Sequence, residues 1–164
     1  MRKCLIAIGF ALLIHHAVLA QTIKGNYAIK NVSTGMLLRV KDASNKNGTP
    51  LVAYDPQNWK CMTWNFIAVE GNTYQLKNLF TGKTFQPKQS DVVLEEQPLT
   101  LGSNNQQYEF ESAGKDIYFI KLKGTDLYIT PEDNKGTTNS AIILSKKTKT
   151  KDQQWAIYEQ SPTM

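Results

Sequence analysis

The sequence predicts an all-β domain assembled from three similar units. A tyrosine followed by alternating apolar and polar residues occurs three times, at Tyr27, Tyr74 and Tyr118, and these tyrosines are 47 and 44 residues apart. Each unit closes on an aromatic residue followed by the same alternation. The closing aromatics are Trp64, Tyr108 and Trp155. A repeat of this length is one supersecondary unit that cannot bury its apolar face alone, so the three units are expected to share one core.

Each unit contains four short alternating segments bounded by Gly, Asn, Asp and Pro, which predicts four β-strands per unit. The predicted strands are Tyr27–Asn31, Leu37–Val40, Leu51–Tyr54, Thr63–Val69, Tyr74–Asn78, Thr84–Pro87, Val92–Glu95, Tyr108–Glu111, Ile117–Leu122, Leu127–Thr130, Ile142–Ser145 and Trp155–Glu159. Short strands at roughly 8–12 residue spacing are typical of a β-sandwich or barrel. No stretch after residue 20 keeps a helical period over three turns.

A β-propeller is the main alternative, because four strands per unit also fit a propeller blade. Propellers typically have about four to eight blades, so three blades would leave the ring open. The Gly-His and Trp-Asp dipeptides that are the sequence signature of the commonest propeller-blade family are also absent. Three units therefore favour a fold that closes on itself after three.

Residues 1–20 show the pattern of a secretory signal peptide. Arg2 and Lys3 form a positive start, Cys4–Ile14 is an apolar run, and Val18–Ala20 is a small-residue cleavage site. A membrane anchor is the alternative, but the run is too short to span a bilayer comfortably. We therefore expect a secreted or periplasmic protein that does not insert into a membrane after cleavage. The predicted domain covers 21–164, with repeats at about 25–70, 71–114 and 115–160.

Cleavage would change the chemistry that the chain offers. Both histidines and Cys4 would leave with the peptide, so Cys61 would be the remaining cysteine. That composition excludes a histidine-assisted nucleophile, a histidine metal site and an intrachain disulfide. We interpret Cys61 as a small buried hydrophobe.

The charge of the chain does not favour nucleic acid as a partner. Without the signal peptide the chain carries 17 basic and 14 acidic residues. The densest basic run, Lys146–Lys151, contains no aromatic residue and lies between two predicted strands. A nucleic-acid surface needs clustered cations with rings for stacking, so a solvated loop is the better interpretation.

The closing strands resemble the Gln-x-Trp repeat of ricin B-type lectins. Gln106-Gln107-Tyr108 and Gln153-Gln154-Trp155 carry the motif, whereas Met62-Thr63-Trp64 keeps the aromatic and lacks the glutamine. Asn47–Leu51 is similar to the run that enters the third strand in this family. The usual Ser/Thr-Gly turn before the second strand is matched by Ser33–Gly35 and Thr81–Lys83.

This resemblance spans Gly25–Gln160 and implies a degenerate member of the family. The implied fold is a β-trefoil of three pseudo-symmetric four-stranded repeats, in which three hairpins cap a six-stranded barrel. The closing aromatics are then core residues, since large rings dominate burial. The glutamine two residues before the ring is expected to bond the backbone of the preceding turn.

The resemblance also implies a shallow sugar site in each repeat, made by an aspartate after the second strand's apolar pair, an aromatic on the third strand and an asparagine just beyond it. A carboxylate and an amide hold adjacent hydroxyls while a ring covers the C–H face of the sugar. Aligned on Leu38, Phe85 and Ile129, the aspartate position holds Arg39, Gln86 and Thr130. The aromatic position holds Tyr54, Glu95 and Ser145. Only the first repeat keeps a ring, and none keeps the acid.

The first repeat is therefore the predicted carbohydrate site. Its candidate binding residues are Tyr54, Asn58, Trp59, Asp42, Arg39 and Asp55. Arg39 would turn the preference toward acidic sugars, because a guanidinium pairs well with a carboxylate. The alternative is an ordinary polar loop in which Trp59 packs over the mouth of the barrel.

Two functions remain open, and neither is enzymatic. The first is a lectin whose partner is a carbohydrate or glycoconjugate, and the second is a trefoil that has lost sugar binding and presents its loops to a protein. Glu95 and Glu96 are adjacent on a predicted strand and point to opposite faces, so they cannot form the facing carboxylates of a glycosidase, about 5–10 Å apart. Calcium loops, phosphate-binding glycine loops and metal clusters are absent from the sequence, so no cofactor is expected.

Overall fold

The computed structural model describes residues 22–89 and 91–163, and twelve β-strands lie in these ranges. They are β1 Gly25–Asn31, β2 Leu37–Val40, β3 Leu51–Tyr54, β4 Thr63–Glu70, β5 Thr73–Asn78, β6 Thr84–Pro87, β7 Leu94–Gln97, β8 Tyr108–Gly114, β9 Ile117–Leu122, β10 Leu127–Pro131, β11 Ile142–Lys146 and β12 Gln154–Glu159. The signal peptide predicted for residues 1–20 lies outside the described residues.

Six strands form a closed ring. Each of β1, β4, β5, β8, β9 and β12 pairs antiparallel with two others of the six. The other six strands form the three hairpins β2–β3, β6–β7 and β10–β11. This arrangement confirms the β-trefoil. Closing the ring also leaves the barrel strands without free edges that another chain could extend.

The helical segments are single 3-10 turns. Three of them come directly before a closing strand, at Lys60–Met62, Asn104–Gln106 and Lys151–Gln153, and a fourth, Lys41–Ala43, follows β2. Within the described ranges no helix is long and apolar enough to cross a bilayer.

The three closing aromatics are fully buried in one core, as predicted. Each ring donates a hydrogen bond to a backbone carbonyl of the second strand in its own repeat. These bonds join Trp64 Nε1 to Leu38 O (3.1 Å), Tyr108 Oη to Phe85 O (3.1 Å) and Trp155 Nε1 to Ile129 O (3.0 Å). Burial raises the pKa of Tyr108 well above its ordinary value, so its hydroxyl remains a neutral donor. The recurrence of one bond in three repeats confirms the alignment of the second strands on Leu38, Phe85 and Ile129.

The motif glutamines bond the turn backbone as predicted. Gln106 Oε1 accepts from Thr100 N at 2.8 Å, and Gln153 Oε1 accepts from Thr148 N at 2.7 Å. Their amide nitrogens donate to backbone carbonyls of the same turns. Each glutamine therefore satisfies backbone groups that the turn leaves unpaired.

One predicted strand is displaced. The sequence predicts Val92–Glu95, but β7 covers Leu94–Gln97. The prediction favoured the β-branched Val92 and Val93, since such residues are enriched in strands. It failed because Glu96 takes an inward position on β7, and a carboxylate is rarely found buried without a partner.

The strand pairing shows how unusual this position is. Phe85 pairs with Glu96, as Leu38 pairs with Ala53 and Ile129 with Leu144 in the other hairpins. Glu96 is fully buried where the other repeats hold apolar side chains. The same register corrects the site alignment, because Gln97, not Glu95, is the counterpart of Tyr54 and Ser145.

The Glu96 carboxyl is only partly satisfied. One oxygen accepts from the Thr81 hydroxyl, whereas Oε2 has no hydrogen-bond partner among the described residues. Burial raises the pKa of Glu96 above its ordinary value, and the Thr81 bond and the Lys83 charge offset this shift only in part. A buried acid with a raised pKa favours the protonated native state, so it destabilises the fold as the pH rises above the pKa of the unfolded chain.

We expect Glu96→Gln to be more stable than the wild type at pH 8 by about 1–2 kcal/mol, because it removes the cost of burying a charge. The advantage should shrink toward pH 4, where the carboxyl is largely protonated in both the native and the unfolded state. Urea unfolding at several pH values measures the difference. Glu95→Gln is the matched control, since Glu95 lies on the opposite face of β7 and is partly exposed. Parallel pH profiles for wild type and Glu96→Gln would contradict this account.

Candidate functional site

The structure brings together three of the predicted site residues on the first-repeat hairpin. Arg39 lies on β2, Tyr54 ends β3, and Trp59 precedes the 3-10 turn at Lys60–Met62. The Arg39 guanidinium carbon is 3.9 Å from the centroid of the Tyr54 ring and 5.8 Å from that of Trp59. The two rings are 6.2 Å apart and tilted by 38°. A cation in this position is attracted by the electron-rich faces of both rings.

These rings also cover a small apolar cluster outside the main core. The cluster consists of the buried residues Ala28, Leu37, Cys61 and Met62. Tyr54 and Trp59 pack against it and remain partly exposed. Cys61 is buried and unpaired, as interpreted from the sequence. Trp59 therefore has one surface that stabilises the fold and another that faces solvent.

An open depression of about 320 Å³ lies beside this cluster. Its lining residues are Arg39, Ala43, Trp59, Lys60, Cys61 and Phe80. Phe80 comes from the turn between β5 and β6 in the second repeat, and its side chain is 49% exposed. The depression is therefore lined by two aromatic and two cationic residues, and by no carboxylate from residues 22–89 and 91–163.

The other three predicted residues are placed differently. Asp55 Oδ2 accepts from the hydroxyl of Thr138 in the third repeat (2.9 Å), and Asn58 Nδ2 donates to Ser161 O (3.1 Å). Asp42 is exposed in a turn where its φ is 53°, and its side chain makes no hydrogen bond to any described residue. The structure thus gives Asp55 and Asn58 intramolecular partners and does not join Asp42 to the cluster.

Arg39 differs in its hydrogen bonding from its counterparts in the other repeats. Gln86 accepts from Gln106 Nε2 at 2.8 Å. In the third repeat Thr130 and Ser145 share a hydrogen bond of 3.1 Å, and Ser145 also accepts from Gln153 at 2.8 Å.

The first repeat cannot repeat this arrangement, because Met62 stands where the other repeats place the motif glutamine. Arg39 is only 8% exposed, and its Nε has no hydrogen-bond acceptor among residues 22–89 and 91–163. The ion pairs between described residues do not include Arg39 either. Gln86 and Thr130 are therefore hydrogen-bonded within their own repeats, whereas Arg39 Nε is not.

Sequence reasoning missed Phe80 and Lys60. Phe80 had one available signal: in the alignment of repeats it is an exposed-turn aromatic where the other repeats have Ser33 and Gly124. That signal does not predict which surface the ring faces, because Phe80 and Arg39 are far apart in sequence. Within the described part of the chain, no three His, Cys, Asp or Glu side chains are placed to hold a metal ion.

A family model described as "Ricin-type beta-trefoil lectin domain-like" matches residues 17–96 of the chain. Among curated proteins, none matches the sequence significantly.

Solved structures show the same fold at low sequence identity. The designed 3-fold symmetric protein ThreeFoil is 19% identical with a TM-score of 0.76, over 82% of this chain and 99% of its own. The Macrolepiota procera ricin B-like lectin in complex with lactose is 18% identical with a TM-score of 0.66, over 84% and 98%. The exo-β-1,3-galactanase from Clostridium thermocellum is 20% identical with a TM-score of 0.74, over 81% of this chain and 30% of the galactanase chain.

Proposed function

We propose that the chain, which a ricin-type β-trefoil lectin-like family model matches over residues 17–96, is a secreted, non-catalytic carbohydrate-binding module with its sugar site in the first repeat. The observation that carries this proposal is the convergence of Arg39, Trp59 and Phe80 on one open depression. A pyranose presents hydroxyls at its rim and an apolar C–H face, and such a depression offers ring surface for the face and N–H donors for the rim.

The solved relatives support a sugar as the ligand. The Macrolepiota procera structure is of a ricin B-like lectin holding lactose. In the galactanase, a segment of this fold makes up part of a larger enzyme chain. Adjacent Glu95 and Glu96 argue against catalysis at the second hairpin, since one is buried and the other lies on the opposite strand face.

A glycan array with the chain lacking residues 1–20 tests the proposal. We expect Trp59→Ala to weaken binding to the best glycan about tenfold, the effect of losing about 1.4 kcal/mol of contact energy. Tyr158→Ala is the control, because Tyr158 is an exposed aromatic that does not line the depression. Urea unfolding of both variants separates a loss of contact from a loss of fold. Glycan binding that survives both Tyr54→Ala and Trp59→Ala would place the site elsewhere.

Binding to a protein is the alternative, and one observation favours it. Asp55 and Asn58 are the side chains that would hydrogen-bond the hydroxyls of a sugar, but both already bond other residues of the chain. A trefoil without sugar affinity would instead present the exposed Phe80 and Trp59 rings to a protein, since aromatic side chains dominate such contacts. An array on which the folded wild type binds no glycan would favour this alternative.

A further inference from the structure

We infer that the depression at Arg39 binds the carboxylate of an acidic saccharide, a sugar of the uronic acid class. This inference rests on the proposed function and names the ligand class for the same site. It depends on three features: an unpaired buried cation, the contrast between the repeats in how this position is hydrogen-bonded, and ring surface with no acidic side chain among the described residues that line the depression.

The first feature is the state of Arg39. Burying a charge is costly unless the charge is paired and its donors are bonded. The Tyr54 ring at 3.9 Å offsets part of that cost, but a ring face supplies no carbonyl or carboxylate oxygen for the guanidinium N–H groups. Nε is buried and has no acceptor among the described residues, and no ion pair between described residues includes Arg39. The terminal guanidinium N–H groups, on the part of Arg39 that lines the depression, are therefore the donors that an external anion would meet.

The second feature is the contrast between repeats. In the second repeat Gln106 donates to Gln86, and in the third repeat Gln153 donates to Ser145. The first repeat has Met62 at the position of these glutamines, and Met62 has no oxygen or nitrogen that can accept a hydrogen bond from Arg39. In the second and third repeats the glutamine donates to an acceptor side chain, whereas Arg39 is itself a donor, so the partner that the first repeat lacks is an acceptor such as a ligand carboxylate. The planar fork of a guanidinium fits a carboxylate better than it fits a single hydroxyl.

The third feature defines the rest of the ligand. Trp59 and Phe80 give the depression ring surface, the aliphatic stem of Lys60 also lines it, and no carboxylate of a described residue does. An inorganic anion has no apolar face to pack against the two rings, and a neutral sugar offers Arg39 hydroxyl acceptors but no opposite charge. A pyranose with a carboxylate matches both requirements.

Titration calorimetry and an array of matched glycans test the inference. The probes are glycans ending in glucuronic or galacturonic acid, printed beside the same glycans ending in glucose or galactose. We expect the wild type to prefer the acidic member of each pair by about tenfold, and Arg39→Met to bind both members equally, because a charged hydrogen bond contributes on the order of a factor of ten. Added salt should reduce the preference of the wild type and leave Arg39→Met unchanged.

Lys30→Met is the matched control. Lys30 Nζ lies 5.8 Å from the Tyr158 ring centroid and does not line the depression, so its removal should leave the preference intact. Arg39→Lys keeps the charge without the fork and is expected to retain only part of the preference, which also tests Arg39 should Arg39→Met not fold. Wild-type binding to neutral glycans alone, or an acidic preference that persists in Arg39→Met, would overturn the inference and leave the proposed function standing. A wild type that binds no glycan would overturn both.

Discussion

Trp155→Ala is expected to lower the free energy of unfolding by about 3–5 kcal/mol, the usual cost of removing a large buried ring. The Trp155 side chain is fully buried in the core that all three repeats share. Its removal leaves a cavity and also leaves Ile129 O without the indole N–H that donates to it at 3.0 Å. Urea unfolding followed by far-UV circular dichroism measures the change.

Two further variants separate the contributions. Trp155→Phe keeps most of the apolar volume and loses the N–H donor, so it should cost less than Trp155→Ala. Tyr158→Ala removes a ring that is 39% exposed on the same strand and should cost less than either. A loss below about 1 kcal/mol in Trp155→Ala, which is within the range of ordinary surface substitutions and mild core changes, would contradict the shared core.

Asn31→Ala is expected to lower the free energy of unfolding by about 3 kcal/mol, because several buried groups lose their partner at once. Asn31 is fully buried at the end of β1. Its Nδ2 donates to Asp152 O at 2.7 Å, and its Oδ1 accepts from the backbone N–H groups of Ser33 and Thr34, each at 3.1 Å. One side chain thus ties the first turn of the first repeat to the last repeat, and thermal and urea unfolding both report its loss.

Asn78 makes the same kind of hydrogen bonds in the second repeat, so it offers an independent test of the effect expected for Asn31. Asn78 donates to Cys61 O at 3.1 Å and accepts from the backbone N–H of Phe80 at 3.0 Å, so Asn78→Ala should cost a similar amount. Asn65→Ala is the control, since Asn65 is only partly buried on β4. Equal stability of Asn31→Ala and Asn65→Ala would show that these bonds do not hold the repeats together.

The repeat architecture follows from the sequence because its signals are local. The alternating segments predicted four-stranded units, which the twelve strands of the described ranges confirm, and the closing aromatics predicted the core, which the buried rings of Trp64, Tyr108 and Trp155 confirm. The motif glutamines were likewise predictable, since they bond turns only a few residues away. Strand alternation and turn residues report short-range preferences, which this fold obeys in eleven of the twelve strands that the described ranges contain.

The position of β7 needed the tertiary structure, because Glu96 breaks the apolar pattern at an inward site. Its register is fixed by pairing with β6 and by contacts to the first repeat, where Glu96 N donates to Thr49 O at 2.7 Å. Alternation within the segment carries no information about either contact. The sequence pattern therefore could not predict that the Glu96 carboxyl is buried.

The candidate site, like the fold, was predictable from the sequence only in part. Arg39, Tyr54 and Trp59 lie within one hairpin and the turn that follows it, and their proximity was predictable from the repeat alignment. The sequence by itself determined the three-unit architecture, the family resemblance implied the trefoil, and the alignment of repeats predicted that the first repeat carries the candidate site. Only the tertiary structure placed Phe80 of the second repeat beside Arg39 and gave Asp55 and Asn58 partners in distant segments. The physical reason is that closing the barrel sets distances between residues of different repeats, and no local pattern encodes those distances.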